Sequence, residues 1–286
     1  MAVTDDHPGA GDMARRLHHR SIASGALYRS LCWRVKGPPP LPRRREMAGK
    51  DRVRKIESLV ALAFGVSMLF WFVYSGLSKT LLPFDVYYPL WVGFIGTFVW
   101  WNRERIRRAF RNWRVREAKK FFIIGFGAVL TEEIFAALAN HLTEGFSVLV
   151  LLVRIGQFWV LNIFTFSGFI LGWYILLRLF VFSDREVFYL AGCWGLYAEK
   201  IVFSIPFNPL FFIFDCVPTI LTYGLIITPA VLGRMSACKS KRLHPVLKYP
   251  MTYMLIFVLS IPGILALNLL RKHFALLFPP LSLVPP

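Results

Sequence analysis

Between Phe146 and Ser183 the chain runs for 38 residues with only Arg154 and Arg178 charged. As a helix rising about 1.5 Å per residue, this stretch would be ~57 Å long, nearly twice the apolar thickness of a bilayer. A water-facing domain has no use for it, and it is not alone. Stretches of roughly twenty residues with little charge also lie at about 59–77, 81–101, 121–140, 187–204, 210–232 and 251–270. Hydrophobic residues make up 56% of the 286 and charged residues 17%, against about 45–50% and about 25% in soluble domains. These features exclude a soluble enzyme and a disordered chain. They predict an all-α polytopic membrane protein, a bundle of about seven transmembrane helices.

Charge orients the chain. The net charge is +18, with Lys and Arg numbering thirteen in residues 1–55, nine in 103–120 and five in 234–248. The positive-inside rule puts all three blocks in the cytoplasm. Spans one and two then form a hairpin, and span three leaves the cytoplasm to reach residues 141–145. The 234–248 loop returns inside only if 146–183 crosses an odd number of times. One crossing is expected, from about Phe158 to Phe182, with Phe146–Gly156 as an outer-surface or re-entrant segment. The protein is then a multi-pass protein of the cell membrane, N-terminus cytoplasmic and C-terminus outside. Arg271 and Lys272, just past the last span, run against that orientation.

Residues 1–56 are basic and rich in Pro, Gly and Arg, and are expected to be disordered; 57–274 form the transmembrane domain and 275–286 an irregular Pro-rich tail. Met47-Ala48-Gly49-Lys50 reads as an alternative start, which would make residues 1–46 dispensable for folding. Within 102–120, Ile106, Ala109, Phe110 and Trp113 lie at i, i+3, i+4 and i+7 among cations. That pattern predicts an amphipathic basic helix lying on the bilayer against anionic headgroups. The basic blocks flank apolar spans and match no nucleic-acid reading motif, so the bilayer, not nucleic acid, is the expected partner. Protein partners are open. Cys32, Cys193, Cys216 and Cys238 have no metal or disulfide spacing. No cofactor or metal motif is present, and both remain unknown at this level.

Glu132, Glu133, Glu199, Lys200 and Asp215 fall within the spans, where each charge costs roughly 2.5–3.5 kcal/mol at a helix centre. Helical spacing groups them. Glu133 and Asn140 share a stripe. Gly192, Gly195 and Glu199 share a face suited to close helix contact. Asp215, Thr219 and Thr222 share another, as do Arg154, Gln157, Thr165, Gly168 and Gly172. A polar cluster of the three glutamates with Asn140, His141, Arg154, Lys200, Asp215, Thr219 and Thr222 is therefore expected inside the bundle. Such carboxylates suit ion- or proton-coupled transport of a small solute, or they are buried ion pairs that fix helix packing.

Val129-Leu130-Thr131-Glu132-Glu133-Ile134-Phe135 resembles the paired-glutamate motif of the CAAX-prenyl-endopeptidase and PrsW-type intramembrane protease superfamily. The segment from Ala191 to Phe203 resembles the second PrsW-type motif, with Glu199 at the glutamate position. The resemblance implies that Glu132, Glu133 and Glu199 are catalytic, one glutamate activating water for attack on a peptide bond with a His-bearing motif assisting. Two departures stand beside it. Ala136 and Ala137 occupy the place of the basic residue after the glutamate pair, and no later span carries a His. The expectations are thus a transport or permeation protein first, a divergent glutamate-type intramembrane peptidase second, and a non-catalytic structural membrane protein third.

Overall fold

The computed structural model describes residues 43–144, 147–232 and 243–274. All its elements are helical: α1 (Arg43–Ser78), α2 (Pro83–Tyr88), a π-helical segment (Pro89–Gly96), α3 (Thr97–Asn112), α4 (Glu117–Glu144), α5 (Val148–Leu179), α6 (Asp184–Ala198), a 3-10 turn (Ile201–Ser204), α7 (Pro209–Leu232) and α8 (Pro245–His273). Five helices are long and apolar enough to cross a membrane: Lys55–Ser78 within α1, Glu117–Leu142 within α4, and the whole of α5, α7 and α8.

The differences from expectation have local causes. Helix α1 opens at Arg43, so residues 43–56 are helical where an irregular arm was expected; Arg, Glu, Met, Ala and Lys are all good helix formers. Residues 1–42 and the tail 275–286 lie outside the described residues. The second pass is a composite of α2, the π segment and α3. Pro89 has no N–H to return to Asp85, and there the bonding pattern widens to i→i+5. That helix continues to Asn112, so the basic stretch 102–120 is not a separate helix. Trp113 is extended (ψ 118°), and the buried Lys120 ammonium donates to the Phe110 carbonyl at 2.5 Å. An ammonium on an orphan C-terminal carbonyl is a natural stop for α3. Helix α6 ends at Ala198, short of the expected Ser204, because Lys200 turns left-handed (φ 59°).

One end of the bundle carries the ion pairs. Arg107 meets Glu104 at 3.0 Å and Asp184 at 2.7 Å, Arg178 meets Glu117 at 3.9 Å, Arg185 meets Glu57 at 3.8 Å, and Lys248 is bonded to Glu186. They gather the C-terminal ends of α3 and α5 with the N-terminal ends of α4, α6 and α8 and with Glu57 of α1. Helix α5 therefore traverses the bundle once, and the stretch expected as a separate surface or re-entrant segment is its unbroken beginning. At 32 residues it is about 48 Å long, so it tilts or protrudes from a core of about 30 Å.

Glycine lets the long helices touch at backbone distance. A Cβ on Gly168 would stand 2.3 Å from the Leu259 carbonyl oxygen and 2.4 Å from Ser260 Cα; one on Gly263 would stand 2.2 Å from the Phe164 oxygen. These close the α5–α8 crossing. Gly168 and Gly172 thus face α8, while the sequence had grouped them with a polar stripe. Gly192, at 2.5 Å from the Ile220 oxygen, does the same for α6 against α7. Gly168→Ala should force α5 and α8 apart and lower the melting midpoint in detergent, a cost of about 1–3 kcal/mol for overpacking. Gly127, whose added Cβ meets nothing within 4 Å, is the control: Gly127→Ala should be neutral or stabilising.

The start of α6 holds a second testable contact. Ser183 and Glu186 form a capping box, with Ser183 N–H to Glu186 Oε2 at 2.8 Å and Glu186 N–H to Ser183 Oγ at 3.2 Å. Glu186 also accepts from Lys248 and, at 3.1 Å, from the Tyr249 hydroxyl. Partial burial pushes the Glu186 carboxyl up, but the Lys248 ammonium and the Ser183 donors outweigh it and hold it below its ordinary value of 4.5. A carboxyl lowered in the fold adds stability above its ordinary value, and this is lost as pH falls through the lowered one. Stability of the wild type should therefore decline as the medium is acidified below about pH 4.5 more steeply than that of Glu186→Gln, measured as melting midpoint against pH.

Candidate functional site

Four carboxyls from three helices converge inside the bundle. Glu132 and Glu133 sit midway along α4, each more than nine-tenths buried. Asp215, on the second turn of α7, is 2% exposed. Glu199 closes α6 as its C-cap and is exposed. It was expected at mid-helix; the left-handed turn at Lys200 puts it at the helix end instead. Glu132 and Glu133 face each other, and Glu199 stands within electrostatic reach of both and of Asp215.

Tyrosines connect them. Tyr87 of α2 donates its hydroxyl to Glu132 Oε1. Tyr223 of α7 donates to Glu199 Oε1 at 2.5 Å and lies within electrostatic reach of Glu132 and Glu133. Tyr88 contacts Thr219 and reaches Asp215, and the Trp71 indole of α1 faces Asp215. The result is a chain from the exposed Glu199 through Tyr223 to Glu132, Glu133 and Tyr87, with an arm to Asp215.

Gly195 makes the central link possible. A Cβ there would stand 2.3 Å from Tyr223 Cδ2, so the bare backbone lets the ring lie against α6 and point its hydroxyl at Glu199, one turn further on. The expected small-residue face of α6 is thus a seat for a tyrosine as well as a helix contact.

Other expected members take other partners. Asn140 bonds back to the Ala136 carbonyl at 2.9 Å. His141 accepts the Ser147 N–H through Nε2 at 2.6 Å and closes the α4–α5 link. Arg154 is half-buried on α5, and Lys200 is exposed. Among the described residues no ion pair joins either cation, or any other, to Glu132, Glu133, Glu199 or Asp215. Thr219 and Thr222 are buried on the Asp215 face, as their spacing implied. Asp85, also buried, accepts from Ser75 and, at 3.0 Å, from Leu82 N–H, and so fastens the α1–α2 turn.

Tyr87, Tyr88, Tyr223 and Trp71 were not read from the sequence as site residues, because aromatics in apolar runs count as hydrophobic. A signal existed for one: Tyr223 follows Asp215 and Thr219 at i+8 and i+4 on a single stripe. Among the described residues, no group of three or more His, Cys, Asp or Glu is arranged to hold a metal ion. Two carboxyls side by side with tyrosine donors can instead hold and pass protons, or face a small cation.

Comparison of the chain with models of known protein families, with characterised proteins and with solved structures found no match.

The role given to Gly195 is testable by a double-mutant cycle. Gly195→Ala alone should be destabilising by about 1–3 kcal/mol through overlap with the Tyr223 ring. In a Tyr223→Ala background the same change should cost much less, because the ring that the new Cβ would strike is gone. Equal costs in the two backgrounds, read as melting midpoints, would remove Gly195 from the site.

Proposed function

We propose that the protein is a seven-pass membrane transporter that couples passage of a small solute to protons or small cations through the carboxyl–tyrosine cluster. The observation that carries this reading is the convergence of Glu132, Glu133, Glu199 and Asp215 with no cationic partner among the described residues. Uncompensated charge in an apolar interior is costly, so the cluster needs protons or a bound cation to be neutral. Ion pairs that merely fixed the packing would bring the matching Lys or Arg. The exposed Glu199 gives the cluster a port.

The seven passes are α1, the α2–π–α3 composite, α4, α5, α6 with its 3-10 turn, α7 and α8, with the ion-paired end cytoplasmic, the N-terminus inside and the C-terminus outside. Exposed Arg103, Arg105, Arg108, Arg111, Arg114 and Arg116, next to exposed Trp100 and Trp101, suit contact between that end and anionic headgroups. In a cysteine-free background, single cysteines replacing Arg114 and Phe207 should label from opposite sides of the membrane. Labelling from the same side would overturn this topology.

A second reading is favoured by one observation: Glu199 lies within electrostatic reach of Glu132 and Glu133, as the resemblance to glutamate-type intramembrane peptidases implies. A carboxyl pair of this kind could activate water. Purified protein in liposomes separates the two. With entrapped pyranine and an imposed potassium-diffusion potential, the wild type should acidify the lumen, while Glu132→Gln and Glu133→Gln should lose most of that flux. Exposed, ion-paired Glu104→Gln should keep it. No flux, with cleavage of a hydrophobic transmembrane peptide that Glu132→Gln abolishes, would overturn transport in favour of the peptidase.

A further inference from the structure

Hydroxyls on the long helices are mostly satisfied by their own backbone. Ser67, Thr131, Thr165, Thr228, Thr252 and Ser260 each donate to the carbonyl four residues back, at 2.7–3.1 Å, the usual outlet for such groups in a helix. Thr219 and Thr222 do not. They are 2% and 5% exposed, and neither Oγ1 has a hydrogen-bond partner. Asp215 Oδ1, on the same stripe of α7, is also unpartnered and buried. A buried polar atom left unbonded costs about 1–3 kcal/mol, and three on one stripe point to something that is to be bound between them.

The backbone adds a fourth oxygen. Pro218 lies inside α7 and has no N–H, so the Phe214 carbonyl lacks its usual helical donor. One carboxylate, two hydroxyls and a carbonyl released by proline form an all-oxygen set with a single negative charge. Hard cations take oxygen ligands, and one charge is matched by a monovalent ion. Broken helices that line membrane cavities commonly use such groups for sodium.

We infer that Asp215, Thr219 and Thr222, with the Phe214 carbonyl, form a sodium-binding site at the head of the acidic cluster. This deepens the proposed cation coupling and rests on it for its role, although binding itself can be read without any flux. Glu199, exposed and within electrostatic reach of Asp215, draws the ion toward the site. Trp71, which faces Asp215, is a built-in optical reporter.

The test uses the full chain in detergent, titrated with NaCl against choline chloride at constant ionic strength, with melting midpoint and tryptophan fluorescence as readouts. Sodium should raise the midpoint saturably and change the fluorescence. Trp71→Phe should lose most of the optical change and keep the thermal one. Asp215→Asn should abolish both. Thr219→Val and Thr222→Val, which keep side-chain shape, should each weaken the apparent affinity by about tenfold, the equivalent of one lost ligand. If Asp215→Asn fails to fold, the two threonine variants decide. The inference is overturned if the wild type shows no sodium-specific shift, or if the shift survives undiminished in Asp215→Asn or in both threonine variants. Sodium binding without liposome flux would leave the site standing and remove the transport reading. Flux without sodium binding would do the reverse.

Discussion

In a bilayer the lipid tails are as apolar as leucine, so helices gain little by hiding hydrophobic surface from one another. What holds them is close approach, and here it is backbone against backbone. Gly168 and Gly263 bring α5 and α8 to distances at which a single methyl group would collide with a main-chain atom, and Gly192 does this for α6 and α7. Every other feature depends on those two crossings. The α6–α7 crossing places Tyr223 beside Glu199. The α5–α8 crossing joins the last helix to the bundle, and at the charged end Lys248 of α8 then reaches Glu186 at the start of α6.

The two ends of the molecule handle charge in opposite ways. At one end Arg and Lys outnumber acids, and the described carboxylates there have cationic partners. Deeper in the helices the acids are gathered with tyrosines and threonines alone. This is a division of labour between anchoring and chemistry. Surface ion pairs are worth little individually but define which helix ends lie together, whereas buried acids without cations are costly in the fold and are kept for what they can bind.

The membrane class was legible in the sequence because hydrophobic runs report directly on the solvent they face. Three further features were legible as spacing: the Gly192–Gly195–Glu199 face, the Asp215–Thr219–Thr222 stripe, and the pairing of charged blocks with one end of the bundle. What spacing cannot report is which neighbour a face meets. Gly168 and Gly172 were grouped with Arg154 on a polar stripe, yet they receive α8. Hydropathy also misses events of the main chain. The widened turns after Pro89 and the left-handed turn at Lys200 leave two expected spans as a composite and a short helix. The second of these moves Glu199 from mid-helix to a helix end. Tyr87 and Tyr223 escaped for another reason: a phenol is apolar over most of its area, and its one polar atom matters only when a carboxyl stands opposite.

The π segment Pro89–Gly96 has a consequence for how this chain can vary. Such a segment holds one more residue than an α-helix of the same height needs. Removing a single residue from it would let the rod heal into regular α geometry and would turn everything before it by about 100° relative to everything after it. Tyr87 would swing away from Glu132 while α3 kept its hold on the charged end. The surplus residue thus acts as a phase-setter: it fixes which side of the rod looks inward on the far side of the break, and a deletion there would erase the tyrosine's contact without touching either partner.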